Sequence, residues 1–133
     1  MGALFSAFLA QLFKVLINYM LEKRWNWRLI NRSGGMPSSH SSTMVTLTVL
    51  LARYSGLGSK EFAIAAVLTG IVMYDASGVR RAAGDQAKIL NYIIFQLPDL
   101  KELQIQQLKE IIGHTPIEVL AGAFLGLIVG FIL

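Results

Sequence analysis

Four apolar stretches dominate the 133-residue chain, running roughly from Ala3 to Leu21, Ser42 to Leu57, Glu61 to Gly78 and Pro116 to Leu133. As helices at 1.5 Å per residue, each covers about 24–28 Å, near the short end for a hydrocarbon core of about 30 Å. The second is the most diluted, because Thr43, Thr46, Thr48 and Arg53 interrupt it. Local thinning or oligomerisation accommodates spans this short. The pattern predicts one domain, 1–133: an all-α integral membrane protein with about four transmembrane helices and amphipathic helices in the 80–113 loop.

Composition agrees with a membrane setting. Hydrophobic residues make up 54% and charged residues 15%, where a soluble domain carries about a quarter charged. The absence of cysteine excludes disulfides, thiolate nucleophiles and Cys-based metal sites. A formal charge of +4 is modest, and with this hydropathy it points to a membrane surface rather than to nucleic acid. The first stretch lacks a basic leader and a small-residue cleavage site, so it reads as a permanent span.

Four spans place segments 22–41 and 79–115 on one face. Nine of the twelve Lys and Arg residues fall there: Lys23, Arg24, Arg28, Arg32, Arg80, Arg81, Lys88, Lys101 and Lys109. The positive-inside rule makes that face cytoplasmic, and Trp25 with Trp27 suits an interfacial belt on the same side. Within the loop, Ile89, Leu90, Ile93, Ile94 and Leu97 oppose Asp85, Lys88 and Asn91 as on an amphipathic helix. Pro98 ends it, and Asp99 with Glu102 caps a second helix running to Gly113. In the last stretch Gly122, Gly126 and Gly130 recur every fourth residue and form a smooth groove. It serves packing within the chain or a homodimer, and four short spans with little interior incline the reading toward the dimer.

Both histidines fall on the predicted cytoplasmic face, each in a loop of small residues. In GGMPSSHSS, Gly34 and Gly35 permit tight backbone and Pro37 stiffens it. Ser38, Ser39, Ser41 and Ser42 supply capping oxygens at a helix N-terminus, a ready anion site with His40 at its mouth. The plainer alternative is a helix cap with an incidental histidine. In GHTPIE, Thr115, Pro116 and Glu118 form a capping box with no function required. His114 lies outside that box, and Glu118 is placed to orient its imidazole.

Asp75 at the end of the third stretch needs a partner near the hydrocarbon edge. Arg80 or Arg81 is the natural one, leaving the other guanidinium for a phosphate or for a solvated basic patch. Lys14, with Gln11 and Asn18 on the same helix face, is a candidate functional residue or a snorkelling lysine.

GGMPSSHSS, YDASGVRRAAG and LKEIIGHTPIEVLAG together resemble the divergent branch of the type-2 phosphatidic acid phosphatase superfamily, distantly similar to vanadium-dependent haloperoxidases. The likeness runs from the Lys14 region through the last span. The usual superfamily pattern is K-x6-R-P, P-S-G-H and S-R-x5-H-x3-D. Pro37, Ser38, Ser39 and His40 match the second motif with serine for glycine, and His114 with Glu118 matches H-x3-D with glutamate for aspartate. The first motif is absent, since Ser33 follows Arg32, and Leu108 stands in the arginine's place of the third.

The resemblance implies a phosphatase acting on a lipid phosphate without metal or cofactor. His114 would attack phosphorus under the orientation of Glu118, and His40 would protonate the departing alcohol. Ser38, Ser39, Lys14, Arg80, Arg81 and Lys109 are the candidates to hold phosphate. Asp75, Gly35, Pro37 and Thr115 would support them. The missing motifs favour a second possibility, a non-catalytic protein that binds anionic lipid head groups through the same basic face.

Overall fold

The computed structural model describes residues 1–23, 25, 35–96, 108 and 113–133, which form five α-helices and, among the described residues, no strand. They are α1 (Gly2–Glu22), α2 (Ser39–Tyr54), α3 (Lys60–Ser77), α4 (Val79–Gln96) and α5 (Pro116–Ile132). Four of them correspond in position to the four expected stretches. By length and hydropathy, α1 and the continuous Lys60–Gln96 stretch are sufficient to cross a bilayer. The other two are shorter, with 17 residues in α5 and 16 in α2.

Local chemistry sets the boundaries. Ser38 caps α2 by accepting from the Ser41 amide, so the helix starts three residues before the apolar run at Ser42. Ser59 caps α3 in the same way through Phe62, after a turn in which Gly56 takes φ +88°. Thr115 and Glu118 close the predicted capping box on α5, with Pro116 at the first helical position.

The interior inverts the usual soluble pattern. Its buried apolar residues are alanines and valines, and the largest fully buried side chains are Thr46, Ser6, Ser38, Ser41 and Ser42. The large hydrophobics face outward, among them Leu4, Phe8, Ile64, Val67, Phe124 and Phe131. Small residues inside and bulky ones outside is how helices pack when the solvent is itself hydrocarbon. Hydroxyls serve as the internal glue. Ser6 bonds Ser42, Thr48 bonds Thr69 at 2.8 Å, and Thr46 donates to the Gly126 carbonyl at 2.9 Å.

Central helix α2 packs against α1, α3 and α5. Along α5, Gly126 lies so close to the Ser42 carbonyl that an added Cβ would sit 2.5 Å from it, and at Gly130 one would sit 2.7 Å from Val49 Cβ. Gly122 approaches the Ser38 carbonyl more closely still. The expected homodimer contact through Gly122, Gly126 and Gly130 is therefore corrected: the chain's own α2 fills that groove. The three contacts advance together along both helices, so α2 and α5 run parallel. Their N-termini lie side by side, and the Ser38 amide donates to the Glu118 carbonyl at 3.0 Å.

Helix α4 follows α3 after the single residue Gly78 and packs on it, burying Gly84 and Ala87. As predicted it is amphipathic, and Ile89, Tyr92, Ile93 and Phe95 remain exposed. Asn91 pairs through both side-chain atoms with the backbone of Leu108, each bond 2.9 Å. The expected second helix of the loop, with Asp99, Glu102 and Lys109, lies outside the described residues, as do Gly34 and Trp27.

Candidate functional site

The two histidine motifs come together where the paired N-termini of α2 and α5 meet the C-terminal end of α3. The His114 amide donates to the Ala76 carbonyl at 3.0 Å, pinning the 113–115 loop to α3. Gly113 packs so tightly on the Arg81 backbone that any side chain there would overlap it. With both loops tied down, the His40 and His114 rings meet at 6.4 Å between centroids, inclined at 64°.

His114 is buried, with 5% of its surface exposed. Its Nδ1 lies 3.3 Å from Glu118 Oε2, and the same oxygen accepts from the Thr115 amide at 2.9 Å. One carboxylate oxygen of Glu118 thus meets both the capping amide and the imidazole. Burial is the main force holding the His114 pKa below the ordinary imidazole value. Glu118 opposes it through its hydrogen bond and charge, while Lys14 and His40 add to the lowering.

His40 stands on the first turn of α2, exposed, and its ring makes no hydrogen bond to another described residue. Its pKa is also lowered, first by desolvation, then by the charges of Arg80 and Lys14, with Asp75 pulling the other way.

Lys14 reaches this centre from α1. It is buried, 4% exposed, and its stem crosses Gly35, where φ is +87°. A Cβ at Gly35 would come to 3.4 Å from Lys14 Cδ, so the glycine provides both the left-handed turn and room for the lysine stem. The charge of Lys14 acts on Glu118 and on both imidazoles. Pro37 is buried and follows a cis Met36–Pro37 peptide bond.

Asp75 selects Arg80 as its partner, with Nε to Oδ2 at 2.6 Å. That pair faces His40 electrostatically, whereas Arg81 is brought to the site by its backbone at Gly113. The expected phosphate contact of the Ser38 hydroxyl is corrected. Ser38 is fully buried, and its Oγ accepts from the Ser41 amide and hydroxyl at 3.4 and 3.1 Å. Ser39 is buried as well, its hydroxyl 3.4 Å from Gln11 Nε2. Lys109 lies outside the described residues.

The arrangement brings together two imidazoles, each with its pKa lowered first by burial. The N-termini of α2 and α5 lie side by side here, and the charges of Lys14 and Arg80 act on His40. Among the described residues no group of three His, Asp or Glu side chains is placed to hold a metal ion. Sequence reasoning did not anticipate the role of Gly35 as the bed of Lys14, nor the exposure of Gln11 to a cavity beside His40. In the sequence, Gln11 carried only the signal of sharing a helix face with Lys14.

A family model described as the Divergent PAP2 family matches residues 1–129. The chain is also similar to a Bacillus subtilis (strain 168) protein called "Uncharacterized membrane protein YuiD", at 36% identity over 144 residues, covering 100% of this chain and 91% of that one. No solved structure matches.

Proposed function

Because the chain belongs to the Divergent PAP2 family, we propose that it is a membrane phosphatase hydrolysing a lipid phosphomonoester or diphosphate at the His40–His114 centre. The observation that carries this reading is the 6.4 Å approach of two imidazoles from distant loops over a site of positive charge. One phosphoryl group is small enough to touch both rings.

Glu118 accepts the Nδ1 proton of His114 and so presents the Nε2 lone pair to phosphorus. Attack forms the N–P bond while the P–O bond to the lipid breaks. Protonated His40 delivers its proton to the leaving oxygen, and the lipid departs as an alcohol, or as a monophosphate from a diphosphate. Water then attacks the phosphohistidine, neutral His40 takes its proton, and inorganic phosphate leaves. Lys14, Arg80 and the amides at the two helix N-termini stabilise charge on the phosphoryl oxygens throughout.

In this reading α1, α2 from Ser42 onward, α3 and α5 cross the bilayer. The charge distribution sets the histidine end in the cytoplasm. Helix α4 lies along the interface with Ile89, Tyr92, Ile93 and Phe95 toward lipid.

The test is phosphate release by purified protein in mixed micelles from phosphatidate, phosphatidylglycerol phosphate and a prenyl diphosphate. Wild type releases phosphate from at least one, vanadate inhibits as a mimic of the trigonal-bipyramidal state, and His114→Ala is inactive. Release that survives undiminished in His114→Ala defeats the assignment to this centre, and no release by wild type from any of the three leaves head-group binding in its place.

A further inference from the structure

The segment 75–81 is docked on the 113–114 loop at both of its ends. Next to Asp75, the Ala76 carbonyl accepts from the His114 amide at 3.0 Å. Next to Arg80, the Arg81 backbone lies against Gly113. Between these contacts stands the ion pair of Asp75 and Arg80, with Nε donating to Oδ2 at 2.6 Å. On an unbroken helix, residues five apart point about 140° away from each other around the axis. The break at Gly78 removes that obstacle. Its amide closes α3 on the Tyr74 carbonyl at 2.8 Å, and its carbonyl opens α4 by accepting from the Ala82 amide at 2.9 Å. Arg80 thereby comes back beside Asp75.

Arginine and carboxylate commonly meet through two parallel N–H···O bonds. Here the single bond runs from Nε, and neither Nη bonds to another described residue. Held by its inner nitrogen, the guanidinium keeps both Nη groups, with two N–H donors each, available to another acceptor. The two side chains are partly exposed, 52% for Arg80 and 35% for Asp75. A pair in that setting contributes little to stability, so the fold gains little from it. Of the charges acting on the His40 ring, that of Arg80 is the strongest, ahead of Lys14 and Asp75.

Resting on the phosphatase reading for the identity of the anion, we propose that Asp75 is a positioning residue for Arg80. It holds the guanidinium by Nε so that the two Nη groups grip phosphoryl oxygens at the His40–His114 centre. Lysine in place of Arg80 keeps the charge but offers no planar fork while paired to the carboxylate. The role of Asp75 carries a sign. As a bystander, an anion beside bound phosphate repels it, and removing that anion tightens binding. As the support of Arg80, its removal weakens binding instead.

The experiment is a double-mutant cycle on the purified protein in detergent micelles, read as affinity for inorganic phosphate by titration calorimetry. Arg80→Ala should bind phosphate about tenfold more weakly, the scale of one charge-assisted hydrogen bond. Asp75→Ala should weaken binding several-fold while Arg80 is present, and leave it unchanged or tighter in the Arg80→Ala background. Arg80→Lys should recover little of the loss, and it carries the test alone should Asp75→Ala fail to fold. Tighter binding by Asp75→Ala alone, equal weakening in both backgrounds, full affinity in Arg80→Lys, or no phosphate binding by wild type would each overturn the assignment. Hydrolysis of the three lipids named above is measured on wild type alongside. The expected cycle without phosphate release leaves the role of Asp75 standing and removes the phosphatase reading. Release by wild type with an additive cycle gives the reverse.

Discussion

The loops at 35–41 and 113–118 each deliver one histidine to the same centre, yet they hold it in opposite ways. His114 is buried, bonded through Nδ1 to Glu118, and anchored by its backbone to α3. His40 is exposed on the first turn of α2, and its ring bonds to no other described residue. A group that must form a bond to phosphorus in one geometry benefits from being clamped. A group that must exchange protons with a leaving alcohol and then with water benefits from access. In the proposed phosphatase mechanism, that difference suits His114 to the nucleophile's part and His40 to that of acid and base.

The largest expected effect falls on the clamped residue. His114→Ala should lower kcat/KM by at least ~10³-fold for every substrate, the scale on which removal of a nucleophile acts, and should abolish the acid-labile phosphoryl label trapped by rapid quench. The comparison breaks if label persists in this variant or is lost only in His40→Ala. His40→Ala should cost about 10²–10⁴-fold on a lipid phosphate. On an aryl phosphate, whose phenolate leaves without a proton, the first step should be nearly restored and labelled protein should accumulate. An equal penalty on both substrates would remove the acid role from His40.

Much of this centre was legible because its signals are local. The cap of α5, the amphipathic pattern of α4 and the two histidine loops depend on residues within a turn or two of each other. Three things were not legible, each for a physical reason. A stripe of Gly122, Gly126 and Gly130 says that a backbone approaches closely but not whose, and the partner proved to be α2 of the same chain. The serines of GGMPSSHSS are equivalent in the sequence, whereas in the fold Ser38 spends its hydroxyl on the cap. Lys14 stood out as a charge within an apolar helix, but the passage of Gly35 over its stem, a contact between distant segments, did not.

Glu118→Gln sharpens the comparison with a smaller effect. Glutamine can still close the capping box, so the helix start should survive. The charge on the far side of His114 is lost, and kcat/KM should fall roughly tenfold to a hundredfold, as when a partner orienting a functional histidine is removed. Circular dichroism and thermal unfolding close to wild type would place the loss in orientation rather than folding. No loss of activity would reduce Glu118 to a cap.

The smallest expected effect is a shift in pH profile, and it separates the two imidazoles directly. Both have pKa values below the ordinary 6.5, burial being the first cause in each. A neutral nucleophile requires pH above the His114 value, and a protonated acid requires pH below the His40 value. The kcat/KM maximum should therefore lie on the acid side of 6.5. The opposing charges differ, Glu118 for His114 and Asp75 for His40. Glu118→Gln removes the charge that raises His114, so the acid limb should move to lower pH. Asp75→Asn removes the charge that raises His40 and releases Arg80, whose positive charge lowers it further. The alkaline limb should then move to lower pH while the acid limb stays. Because coupled groups titrate as a pair, the limbs of one profile cannot be assigned by inspection. Two variants that move different limbs can assign them. If Asp75→Asn moves the acid limb instead, the exposed histidine is the nucleophile and the roles derived from burial are reversed.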